Sequence, residues 1–178
     1  MERMVALLRA VNVGGRKLPM AELRALCEEL GWSEVETYIQ SGNVVFAAAG
    51  SLPKLEGKLE QAIADRFAMD VPVIVRAREQ WQAYPAANPF PEAARDEPNR
   101  LMMLLSKAPP NGDAQAELQK RAKDGERVKQ AGHALWIHFP AGSARSSLTP
   151  TVIDRLIGSP ATARNYRTVV KIQEMLDA

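Results

Sequence analysis

The chain has 178 residues, 46% hydrophobic and 25% charged, which is ordinary globular composition and enough for one sizeable domain or two small ones. Lys and Arg number 23 against 21 Asp and Glu, a net charge of +2 that is too mild to imply a nucleic-acid partner on charge alone. The single cysteine, Cys27, excludes an internal disulfide, and two histidines beside one thiol leave no spacing that resembles a zinc site.

Residues 5–8 are continuously apolar and the run ends before Gly14-Gly15, the pattern of a strand buried on both faces. This apolar start is too short for a signal segment, is cut by Arg9 and lacks a small-residue cleavage pattern. No stretch approaches the roughly 18 apolar residues of a spanning helix. A cytoplasmic protein with no membrane partner, no cofactor and no metal is expected. Pro19 suits a first helical turn, and Met20, Leu23, Leu26, Cys27 and Leu30 recur at helical spacing before Gly31, which predicts an amphipathic helix. Residues 35–39 and 44–48 are apolar or β-branched runs on either side of Ser41-Gly42-Asn43, a hairpin with Gly-Asn as its two-residue turn. Ser51 is the expected cap of a helix whose Leu55, Leu59, Ile63 and Phe67 share a stripe, and residues 71–76 follow as a strand.

Pro85, Pro89, Pro91 and Pro98 interrupt residues 79–99, which read as a short helix around Trp81 and then a connector. The order then recurs: residues 101–105 as strand, 113–123 as helix, 127–130 and 134–139 as a hairpin about Ala131-Gly132, and a helix opened by Thr149-Pro150 that runs to Ile157. The expected last strand is replaced by a helix over about 165–176, with Thr162 as its cap. The organisation is therefore a first α+β subdomain at 1–78, a proline-rich connector at 79–99 and a second subdomain at 100–178. The fold class is α+β, two ferredoxin-like (split β-α-β) subdomains in tandem, the second ending in a helix. Ancient duplication and chance recurrence of a common motif both account for the repeat.

In this topology the exit of the first strand and the tip of the first hairpin lie at one edge of the sheet, with the start of the first helix. That edge gathers Arg9, Asn12, Gly14, Gly15, Arg16 and Lys17 with Gln40, Ser41 and Asn43. A glycine pair admits close backbone approach, Arg9 offers a planar fork for phosphate or carboxylate, and the amides orient it. The competing structural reading is that the glycines serve turns and that Arg16 and Lys17 are solvated. A second candidate is Arg164 with Asn165, read as the first turn of the last helix, on the hairpin edge of the second half and continuing into a basic stripe with Arg167 and Lys171. A cation there opposes the helix dipole, and an anion would compensate.

The glycine loop has no phosphate-loop spacing and the chain has no GxGxxG. Cys27 lies on an apolar stripe and reads as an inert thiol, and Trp32, Trp81 and Trp136 read as core aromatics. His133 and His138 have no nucleophile beside them, and no acid-base pair stands out by spacing. Four function classes follow: a binding module for a small anionic ligand; an RNA- or DNA-binding module, for which the RNP1 signature is lacking; an enzyme without a recognised catalytic motif; and a structural or oligomeric role.

The residues RAVNVGG (Arg9, Asn12, Gly14, Gly15), TYIQSGNV at 37–44, NPF at 88–90 and TARNYRT at 162–168 together resemble the bacterial domain-of-unknown-function family 1697 over nearly the whole chain. Ala10 stands where that family has a glycine and Tyr166 where it has a tryptophan. The resemblance implies an α+β fold of two related subdomains and brings no activity. It gives added weight to the polar motifs at strand and helix ends as a site.

Overall fold

Met4, Val5, Ala6, Leu7 and Leu8 are all buried, so the strand that carries them, β1 (Glu2–Leu8), has no solvent face and no alternation of polarity. In the computed structural model, which describes residues 1–178, β1 leads to α1 (Met20–Glu29), β2 (Ser33–Tyr38), β3 (Asn43–Ala48), α2 (Leu52–Phe67) and β4 (Val73–Ala77). These strands form one antiparallel sheet in the order β2-β3-β1-β4. Met4, Ala6 and Leu8 share a core with Phe46, Val75, Leu23 and Leu26 of α1 and Leu59 and Ile63 of α2. Each fully buried side chain of this size contributes roughly 1.5–3 kcal/mol. Trp32 stacks on Phe46, ring centroids 4.0 Å apart and planes at 12°.

The first compact unit comprises Met1–Gln82 together with Ile172–Ala178. Within it, Arg3 Nη2 donates to Met175 O at 2.7 Å, and Arg78 Nε pairs with Asp177 Oδ1 at 2.9 Å. Two local expectations need correction. Ser51 occupies the N-cap of α2 but makes no capping hydrogen bond; Pro53 at the second helical position removes one of the two N–H groups a cap could bind. The hairpin loop is residues 39–42 rather than a Gly-Asn turn: Tyr38 pairs with Asn43, which belongs to β3 and is fully buried. Its amide donates to Tyr38 O at 2.9 Å and Ser41 Oγ at 3.1 Å, closing the loop from inside the strand.

The second unit is Ala83–Lys171. After α3 (Arg78–Ala86), α4 (Pro91–Asp96) and a single 3-10 turn, it contains β5 (Leu101–Ser106), α5 (Ala114–Arg121), β6 (Arg127–Ala131), β7 (Ala134–His138), α6 (Pro150–Ile157) and β8 (Ala161–Asn165), and it includes the start of α7 (Tyr166–Asp177). Its sheet is antiparallel with the order β6-β7-β5-β8. Leu104, Leu118, Leu135, Ile137, Ile153 and Ile157 form the core between this sheet and its helices. Thr149 caps α6, its side chain accepting from Val152 N at 3.3 Å. The class is α+β, with two antiparallel four-stranded sheets and seven helices.

The last strand is present. β8 pairs with β5 from Ser106↔Ala161 to Met102↔Asn165, so Thr162 lies in a strand opposite Leu105 and caps nothing. The cap of α7 is Asn165, whose Oδ1 accepts from Thr168 N at 3.0 Å. Strand passes into helix with no loop between them, and Ala-Thr-Ala-Arg-Asn lacks the apolar run that announces a strand.

Outward N–H groups of the edge strands are answered by helix side chains. Val75 N donates to Glu56 Oε2, Val128 N to Gln119 Oε1 and Gln130 N to Gln115 Oε1, each at 2.8 Å. Ala161 N donates to Asp154 Oδ1 at 3.0 Å. These contacts blunt the edges against pairing with another strand.

Candidate functional site

The chain leaves β1 under tight control: Leu8 N donates to Gly42 O at 2.9 Å and Arg9 N to Pro72 O at 3.0 Å. A Cβ built on Gly42 would lie 2.8 Å from Leu8 Cβ and 2.8 Å from Val11 Cγ2, so only glycine lets the hairpin tip rest on the strand exit. Beyond it the backbone turns sharply, with Asn12 N donating to Arg16 O at 2.6 Å and Arg16 N to Val13 O at 3.1 Å.

Asn12 ties the two loops together. Its Nδ2 donates to Gln40 O at 2.6 Å and to Leu18 O at 3.0 Å, while its Oδ1 accepts from Leu18 N at 2.8 Å. The strand exit and the hairpin tip therefore share a rim. Five non-glycine residues of the chain have positive φ, and three of them, Ala10 at 55°, Asn12 at 57° and Ile39 at 51°, stand on this rim beside Gly14 and Gly15. Backbone strain of this kind gathers at functional sites.

Asn12, Gly15, Arg16, Lys17, Pro19 and Gln40 line an open groove of about 480 Å³. The lining holds two cations and no carboxylate. Arg16 is braced by a hydrogen bond from Nη2 to Asp70 O at 2.8 Å, and Lys17 is exposed. Gly14 and Gly15 are exposed, with no atom within 4 Å of where a Cβ would be. The groove wall at Pro19 is also the start of α1, which has no side-chain cap. Its first-turn N–H groups and dipole add positive potential there.

The predicted residues divide by role. Asn12 and Asn43 spend their amides on the protein's own backbone, and Asn43 is wholly inaccessible. Ser41 Oγ accepts from Asn43, and Arg9 is half-buried at the head of the loop. Gly15, Gln40, Arg16 and Lys17 face the groove. Val13 and Ile39, beside Asn12 and Gln40, are exposed apolar residues that sequence reading passes over, since an apolar side chain is assigned to the core by default.

Arg164 and Asn165 are elsewhere, in the second unit. Arg164 lies on β8 opposite Met103 and is 6% exposed, its Nη1 donating to Thr162 Oγ1 at 2.6 Å and Ala163 O at 2.9 Å. Burial pushes its pKa down to about 10. The basic stripe with Arg167 and Lys171 dissolves, because Arg164 precedes the helix. Nor does α7 begin at the hairpin edge: Asn165 pairs with Met102 at the start of β5, whereas the β6–β7 turn stands beyond Leu104↔Leu135, at the far end. The additional strand carries the chain across the sheet before the helix starts.

A separate cluster surrounds His138 of β7. Its Nδ1 is 3.1 Å from Arg127 Nη2 and its Nε2 is 3.2 Å from Glu97 Oε1. Since Arg127 only donates, this network puts the ring proton on Nε2, facing Glu97. The Arg127 guanidinium also lies 4.5 Å from the Phe90 centroid and bonds Glu92, holding that carboxyl below the usual carboxylate range. Cys27 is fully buried, and burial, with Glu28 nearby, pushes its thiol up to about 12.

These features define an α+β protein of two sheet-and-helix units, the first carrying a groove lined in part by Gly15, Arg16 and Lys17. The chain belongs to the family described as Protein of unknown function (DUF1697), whose model matches residues 1–136. Comparison with curated proteins finds no match. Among solved structures it is similar to the conserved bacterial protein SP0830 from Streptococcus pneumoniae, at 28% identity and a TM-score of 0.73, over 100% of this chain and 99% of that one. No helix is long and apolar enough to cross a membrane.

Proposed function

We propose that the first unit is a binding module for a small anionic ligand, bearing phosphate or carboxylate, at the rim formed by residues 9–19 and 39–42. The observation that carries the reading is the groove itself, with Arg16, Lys17 and the side-chain-free Gly15 in its lining and no carboxylate among them. Asn12, Ser41 and Asn43 hold the two loops in place, Arg9 anchors the loop at its head, and Gln40 with the exposed backbone meets the ligand. The rim's topology supports this. We read each unit as a ferredoxin-like split β-α-β subdomain, supported by the strand orders β2-β3-β1-β4 and β6-β7-β5-β8. The equivalent loop of the second unit is closed by the end of α6 and the connection that follows it: Asn111 N donates to Ile157 O at 2.9 Å and Ala108 N to Ser159 Oγ at 3.0 Å. The buried thiol of Cys27 suits a reducing, cytoplasmic setting.

Two charge-assisted hydrogen bonds contribute roughly 3–6 kcal/mol, so after the cost of association a bare phosphate binds no tighter than about the millimolar range. A thermal-shift titration with inorganic phosphate and pyrophosphate tests the reading. The unfolding midpoint rises with concentration by linkage, and Arg16→Gln with Lys17→Gln removes the rise. A midpoint unmoved by either anion overturns it.

A further inference from the structure

We infer that the ligand of this rim is amphiphilic, a small anion joined to a compact apolar body, as in an aryl phosphate or aryl carboxylate. The inference rests on the anion-binding reading above and specifies its ligand class. Three large hydrophobic side chains of the chain are exposed: Met1 at 79%, Val13 at 56% and Ile39 at 48%. Met1 precedes β1, at the end of that strand opposite the rim. The other two come from different loops, each one residue from a groove-lining residue, and those two lining residues, Asn12 and Gln40, are hydrogen-bonded at 2.6 Å. The topology thus sets both exposed apolar residues beside one cationic groove.

Ile39 is costly twice over. Its φ is 51°, a left-handed conformation that a β-branched residue enters only under strain. It also presents an apolar side chain to water at a hairpin tip, where Asn, Asp or Gly would relieve both penalties. Val13 stands between Asn12 at φ 57° and Gly14 at φ 57°, in a loop that buries neither of its neighbours. An inorganic anion satisfies Arg16 and Lys17 but leaves Val13 and Ile39 in water, and a neutral apolar molecule does the reverse. Only a ligand with both characters uses the whole rim. A groove of about 480 Å³ is several times what a phosphate fills and lies within the size range of small-ligand sites.

The test is calorimetric titration of the full chain with inorganic phosphate, phenyl phosphate and benzyl alcohol. Phenyl phosphate is expected to bind about tenfold tighter than phosphate, since covering part of two aliphatic side chains is a gain of that order, and benzyl alcohol is expected to bind weakest. Val13→Ser with Ile39→Asn brings phenyl phosphate to the level of phosphate and leaves phosphate unchanged. Its unfolding midpoint does not fall, because Asn accepts the left-handed φ. Equal affinities in the wild-type chain, or a preference that survives Val13→Ser with Ile39→Asn, overturns the amphiphilic assignment while the anion reading stands. Silence toward both phosphates defeats the anion reading and this one with it. Sedimentation with phosphatidylglycerol vesicles, without any response to phenyl phosphate, assigns the surface to a membrane and overturns the proposal.

Discussion

Replacing Asn12 by alanine removes three hydrogen bonds from the junction of two loops and leaves an L-residue without a local amide in a left-handed conformation. Leu18 is wholly buried, so the backbone groups that Asn12 serves there are poorly placed to recover water. At about 0.5–1.5 kcal/mol per hydrogen bond, and about 1 kcal/mol for the lost tolerance of positive φ, the cost is on the order of 3–5 kcal/mol. For a chain of this size each kcal/mol lowers the unfolding midpoint by about 2–4 °C, so a fall of about 6–20 °C is expected by differential scanning calorimetry. Asn12→Gly separates the two contributions. It relieves the backbone penalty and loses the same bonds, so its midpoint lies above that of Asn12→Ala by the φ contribution. Amide exchange at residues 13–18 and 39–42 accelerates in both variants. A loss below about 0.5 kcal/mol for Asn12→Ala would show that the loops are not joined through this side chain.

Gly42→Ala and Gly14→Ala place a methyl on two backbones of positive φ, but only the first meets atoms, at 2.8 Å, and the second opens into free space. Denaturant titration is expected to show Gly42→Ala losing about 2–4 kcal/mol and Gly14→Ala about 1 kcal/mol; equal losses contradict the close approach of the hairpin tip to β1. Burial acts against the Glu126 charge, yet hydrogen bonds from the Asp124, Glu126 and Lys123 backbone and the Ser146 hydroxyl hold its pKa below the ordinary 4.5. Its folded pKa being depressed, the stability it contributes is complete above the unfolded value of about 4.5 and is lost as pH falls through the folded one. Glu126→Gln should therefore flatten the acid limb of a stability-pH curve below pH 4.5. Cys27, with its thiol pushed up to about 12, should resist Ellman's reagent at pH 8 in the native chain and react at once in denaturant, and fast native labelling would show that α1 opens.

Strong periodicity carried most of the fold into view. The stripe of Leu23, Leu26 and Cys27 and the matching one of Leu55, Leu59 and Ile63 mark their helices because a buried face must recur every three or four residues. β8 escaped because an edge strand of five residues with small and polar side chains has no such face, and its Asn165 doubles as a helix cap. The meeting of the two loops was legible, and the roles of their side chains were not. Topology alone brings Asn12 to the hairpin, but nothing in a sequence says whether an amide will spend its hydrogen bonds on a ligand or on Gln40 O and Leu18 O. Arg164 reads as a surface cation until the strand that buries it is seen. The exposure of Val13 and Ile39 depends on loop backbone angles, which composition does not encode.

The most direct test of the account is amide chemical-shift mapping of the isotope-labelled full chain during a titration with phenyl phosphate. The perturbed amides should be those of residues 12–18 and 39–42, with Gly14, Gly15 and Gln40 among the largest and the β8–α7 junction at Arg164 unmoved. Shifts confined to Arg164 and its neighbours, or no saturable shift anywhere, would contradict the assignment of the ligand to this rim.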